Sequence, residues 1–169
     1  MLFRWLMGRE STHERPTASD ELKRLVHATL PATDAETIAV VAAVAGLLSY
    51  VAYADRAYRE EEQVAVHDAL SRMHALPEQA LATITSLLSS RIVELAAEPV
   101  HGYTRVLVEL TDRDARLELL DVLLDLAAAD QVLSMDETNL LRRVTTLLGL
   151  SAHDYLASQA RHRARLSVL

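Results

Sequence analysis

"LAAADQVLSMDETNLL", residues 126–141, and "YVAYADRAYREEEQVAV", residues 50–66, decide how this chain is read. Each is an apolar stretch ending at an aspartate, Asp130 or Asp55, with a glutamate, Glu137 or Glu62, seven residues later. Placing residue 55 on residue 130 matches Ala52, Ala54, Asp55 and Glu62 with Ala127, Ala129, Asp130 and Glu137, an offset of 75 residues. An apolar helix is expected before each motif and an amphipathic one after it. That pattern is an internal duplication of a helix–loop–helix unit.

The aspartates are the unusual members. A carboxylate at a helix C-terminus faces unpaired carbonyls and the negative end of the helix dipole, at a cost of about 0.3–1 kcal/mol. Two readings offset that cost. The aspartate can accept backbone N–H bonds in the following loop, as Asx turns do, with the glutamate as third residue of a capping box. Alternatively, each pair, Asp55 with Glu62 and Asp130 with Glu137, gathers oxygens for a hard divalent cation, Ca²⁺ or Mg²⁺, with Glu60, Glu61 and Asp136 adding oxygens or negative potential. The loop is not an EF-hand, because "QVLSM" separates Asp130 from Asp136 without alternating carboxylates or the glycine.

Composition supports an all-α class. The 169 residues are 50% apolar but 4% aromatic, with four Gly and four Pro. Ala and Leu dominate, and both favour helix. Start and stop signals predict seven or eight helices. Residues 1–18 read as an N-terminal arm and linker, and 19–169 as one helical domain. Caps are expected at Ser19, at Thr33 with Glu36, at Thr111 with Asp114, at Ser134 with Glu137, and at Ser151 with Asp154. A helix is expected from about Arg59 to His74, and another from Pro77 as first helical residue to about Ala97, with Gly149 ending the one before the last. "IAVVAAVAGLLSYVAYA", Ile38–Ala54, is uncharged and near the lower length limit of a membrane span. Its alanine content and the absence of flanking basic clusters make it a buried core helix.

The net charge of −7 argues against nucleic acid as partner. Arg161, Arg163 and Arg165 at the C-terminus read as a solvated helix end, and Asp121 with Asp125 as a solvated acidic face. No cysteine is present, which removes disulfides and thiolate chemistry and agrees with a cytoplasmic setting. His67 and His74 share a helix face but lack zinc spacing, and read as surface residues. No phosphate loop and no paired acid and base are present, so no enzymatic activity is expected. "MLFRWLMGRE" carries Leu2, Phe3, Trp5, Leu6 and Met7 in a short apolar arm. It reads as an arm docking on the core or on a second subunit, with peripheral membrane contact through residues 1–10 as the alternative.

The repeated A-x-A-D-x-x-x-x-x-x-E motif resembles the TerB-like family, named for a tellurite-resistance protein. The resemblance covers about residues 33–165 and is clearest from His101 to Ala160. It implies an all-helical domain of two pseudo-symmetric helix–loop–helix units and acidic clusters suspected of holding divalent cations, here Asp55, Glu62, Asp130 and Glu137. It implies a role in tellurite, metal-ion or envelope stress, or as a scaffold with a protein partner. The family usually has glycine directly after the motif aspartate. Arg56 and Gln131 stand there in this chain, which predicts altered or strained loops, and Arg56 is expected to neutralise Asp55.

Overall fold

The computed structural model describes residues 16–73, 76–129 and 134–166, with the backbone alone from 164 onward. Eight helices run in chain order: α1 (Ala18–Thr29), α2 (Ala35–Ala52), α3 (Glu60–Ser71), α4 (Glu78–Ala97), α5 (Val100–Leu110), α6 (Arg113–Ala127), α7 (Met135–Leu147) and α8 (Ala152–Leu166). No strand occurs among the described residues. The chain is all-α.

The uncharged stretch is α2, and it is the centre of the domain. It packs against α1, α3, α4, α5, α6 and α7. Val41, Ala45, Leu47 and Leu48 are completely buried, and burial of each Leu is worth about 1.5–3 kcal/mol. By length and composition α2 and α4 are each apolar enough to cross a membrane, but two-thirds of α2 is buried by its neighbours. A helix apolar all round requires such a wrapping.

One contact sets the α2–α5 approach. The Tyr103 ring of α5 lies directly against Gly46, where any Cβ would run into it. The Tyr103 hydroxyl donates to the Leu95 carbonyl at 3.2 Å, and burial pushes its pKa well above the usual phenol value.

The helix ends correct several expected caps by one or two residues. Thr17, not Ser19, caps α1, in a reciprocal box with Asp20. Asp34, rather than Thr33 with Glu36, caps α2; its carboxylate takes the Thr37 N–H at 2.8 Å and the Thr37 hydroxyl at 2.7 Å. Thr111 ends α5, while Asp112 caps α6 through the Ala115 N–H. An ionised carboxylate accepts more strongly than a hydroxyl at a helix N-terminus, and in these two cases Asp lies next to the expected Thr. Pro77 precedes α4 rather than opening it, and α4 breaks its helical geometry at Arg91 (φ −125°, ψ 19°). The Arg91 guanidinium pairs with Glu94 and with Glu21 of α1.

The expected boxes at Ser134 with Glu137 and Ser151 with Asp154 are present. Gly149, at φ +69°, ends α7: its N–H reaches Thr146 O and the Leu150 N–H reaches Thr145 O, a Schellman arrangement that needs the left-handed residue.

Gly46→Ala tests the central seat. Overpacking costs about 1–3 kcal/mol, while the gain in helix propensity is at most about 1 kcal/mol. The denaturant midpoint is expected to fall with the slope unchanged.

Candidate functional site

The two motifs superpose in their backbone bookkeeping as well as in sequence. α2 ends at Ala52 and α6 at Ala127; α3 starts at Glu60 and α7 at Met135. Each pair is 75 residues apart. The Tyr53 N–H bonds Ser49 O and the Ala128 N–H bonds Leu124 O, both at 3.1 Å. Glu62 accepts the N–H of Arg59 at 2.7 Å, and Glu137 accepts that of Ser134 at 2.7 Å. Each motif glutamate is therefore the residue that turns the chain into its second helix. Ser134 returns a bond to the Glu137 N–H at 3.1 Å; Arg59 has no accepting side chain, so the first box is one-sided.

Arg59 does something else. One guanidinium nitrogen lies 2.8 Å from Asp55 Oδ2 and 3.4 Å from Glu62 Oε1. Asp55 Oδ1 takes the Ala57 N–H at 2.9 Å, an Asx-type turn. The Arg59 hydrogen bond, with help from that N–H, holds the Asp55 carboxyl below the usual carboxylate range. All four carboxylate oxygens of the first motif are thus engaged. The arrangement is built around a cation, and the cation it holds is Arg59. A resident metal does not fit while that guanidinium is in place. Among the described residues no three His, Asp or Glu side chains are gathered as a metal cage. Asp130 and Gln131 lie outside the described residues, as does His74.

The expectation that Arg56 neutralises Asp55 is corrected: Arg59, four residues on and so back over the loop, makes that pair. Arg56 instead adopts φ +64°. This is the left-handed position that glycine fills without strain, and a non-glycine residue there costs about 1–2 kcal/mol. The expected strain is present. Arg56 is exposed and makes no ion pair among the described residues. It borders a hollow of about 510 Å³ with Tyr50, Tyr53, Val93 and Leu140; Val93 is 57% exposed.

The model of the family described as tellurite resistance protein TerB matches residues 41–160. The chain belongs to the TerB family. Both motifs and the α2–α5 seat fall inside that match. No curated protein and no solved structure matches this TerB-family chain.

Sequence reasoning missed a second polar cluster. Asp121 and Asp125 are not a solvated face: Arg161 of α8 pairs with Asp121 at 3.0 Å, and His162 Nδ1 lies 2.7 Å from Asp125. His162 is buried, and its Nε2 has no hydrogen-bond partner among the described residues. The C-terminal basic run is thus partly a clamp of α8 on α6 rather than a solvated end; Arg163 is exposed as expected, and the Arg165 side chain lies outside the described residues. Nothing in "RHRARL" marks which base turns inward. His67 is exposed as expected.

Two measurements test this TerB-family loop. Arg56→Gly relieves the left-handed strain, so the unfolding free energy should rise by up to about 1 kcal/mol after the greater freedom of glycine in the unfolded chain is subtracted. The lowered Asp55 pKa stabilises the fold above the ordinary value of about 3.9, and that contribution is lost as pH falls through the folded value. The stability gap between wild type and Asp55→Asn should close in acid, below about pH 4, in an unfolding series across pH.

Proposed function

We propose that this TerB-family domain is a non-enzymatic interaction module of the cytoplasm, which takes a segment of a partner protein on the face made by Tyr50, Tyr53, Arg56 and Val93. The observation that carries the reading is Arg56: a strained, exposed guanidinium that makes no ion pair among the described residues, set at the edge of an apolar hollow beside two tyrosines. Strain of this kind persists where the surroundings over-determine it, and it clusters at functional sites. Tyr and Arg are among the residues enriched at protein interfaces. The partner segment is apolar, with a carboxylate for Arg56. The family's description supports a setting in tellurite resistance.

Arg56→Gly separates binding from folding, because glycine keeps the backbone and removes the guanidinium. Partners are captured by cross-linking in the native host, and their affinity is then measured on purified proteins. Arg56→Gly and Tyr53→Ala are each expected to weaken binding by about tenfold or more, with the fold of Arg56→Gly intact. Unchanged affinity in both variants would rule the face out.

A second reading assigns a divalent cation to Asp55, Glu62, Asp130 and Glu137. The convergence of Asp55 and Glu62 on one positive group supports it. A metal there must displace Arg59. Calorimetry with Ca²⁺ and Mg²⁺ should then show tighter binding in Arg59→Ala than in wild type, and none in Asp55→Asn with Asp130→Asn. Silence in all three would leave these acids a purely structural role.

A further inference from the structure

We infer that the apolar arm at residues 2–7 folds back into the cleft between α2, α3, α5 and α6 of its own domain. The cleft holds about 420 Å³ and is lined by Val40, Val44, Leu48, Met73, Leu119 and Val122. Five of these, Val40, Val44, Met73, Leu119 and Val122, are only partly buried, and they come from α2, α6 and the end of α3. Its volume lies in the range of pockets that enclose small apolar ligands, and it has room for a pair of large side chains. Arg72, Arg116 and Glu118 also line it.

The occupant is argued from the arm's composition and its reach. Residues 1–15 lie outside the described residues. Their sequence holds Leu2, Phe3, Trp5, Leu6 and Met7, including the one Phe and the one Trp of the chain. Leu2 with Leu6, and Phe3 with Met7, have the four-residue spacing that puts side chains on one helix face.

The described chain enters at α1, and the Ser19 N–H is bonded to Glu98 at 2.8 Å, beside the start of α5. From there α5 itself leads to Leu107 and Thr111 in the cleft wall. At about 1.5 Å per residue that is a path of about 16 Å. The polar linker, residues 8–16, extends to about 30 Å, so the arm reaches with slack. A tether of this length holds the arm at an effective concentration on the order of millimolar. A free apolar molecule or a second copy has to compete with that.

Trp5 makes the test direct, because all tryptophan fluorescence of the protein comes from the arm. The full chain is measured in lipid-free buffer over a wide range of concentration. Blue-shifted emission, independent of concentration, is expected, with acrylamide quenching several-fold weaker than in a synthetic peptide of residues 1–15. Val44→Gln with Leu119→Gln, at half-buried positions, should return the emission to that of the peptide.

The chain has no cysteine, so a second measurement does not depend on that variant folding. Leu6→Cys with Ala115→Cys, at the cleft rim, should join through a short thiol cross-linker within one monomer. Leu6→Cys with Val93→Cys, on the other hollow, should not.

Peptide-like emission from the lipid-free wild type overturns the inference. So does emission that turns blue only with phosphatidylglycerol vesicles, which would make the arm a membrane anchor. A blue shift that disappears on dilution overturns it in favour of a second copy. Equal cross-linking of the two cysteine pairs overturns it as well.

Discussion

Everything in this domain is arranged around an α-helix that has no polar side to show to water. α2 carries no charge from Thr37 to its end at Ala52, and a helix of that kind is stable in water only when it is wrapped. Six other helices do the wrapping. At the contact with α5, glycine in α2 leaves room for a tyrosine ring, and the tyrosine hydroxyl is then satisfied by a carbonyl of α4. One missing side chain on α2 thus sets the spacing of three helices. A buried hydroxyl left without a partner would cost about 1–3 kcal/mol, so the Leu95 carbonyl is part of the same constraint.

The duplicated motifs show how one solution to a local problem is used twice and then diverges. In both units a glutamate caps the second helix through the same N–H geometry. In the first unit the aspartate is held by the Arg59 guanidinium and a loop N–H, which offsets the unfavourable helix-dipole position that made it conspicuous. The guanidinium sits where a metal would have to sit. The acidic cluster and the basic side chain are therefore one ion-pair network, mostly open to solvent and weak pair by pair. Its main contribution is to hold the shape of the loop that presents Arg56.

The elements read from sequence and those found in the fold differ in an instructive way. The duplication, the helix count, the buried nature of Ile38–Ala54, two capping boxes and the glycine stop at Gly149 were all legible, because each is a short-range pattern of spacing or side-chain type. The caps at Asp34 and Asp112 were assigned one residue early, since Thr and Asp stand side by side and both can cap. The partner of Asp55 was assigned to the wrong arginine: adjacency in the chain suggested Arg56, but a left-handed backbone turns that residue outward while Arg59 comes back over the loop. The break in α4 at Arg91 had no proline or glycine to announce it; it coincides with a pairing to Glu21, seventy residues away.

By itself the sequence determined the class of the fold, the twofold repeat and the family, because these rest on periodicity and on residues within a turn or two of each other. It also carried the strain at Arg56, as a non-glycine residue standing where the family uses glycine. Only the tertiary structure decided which charges meet. Asp121 with Arg161 and Asp125 with His162 are about forty residues apart in the chain, and they meet because α8 packs along α6. Whether a charged side chain is solvated or clamped depends on that docking. The docking is set by apolar burial over the whole domain, a non-local quantity that no window of sequence contains.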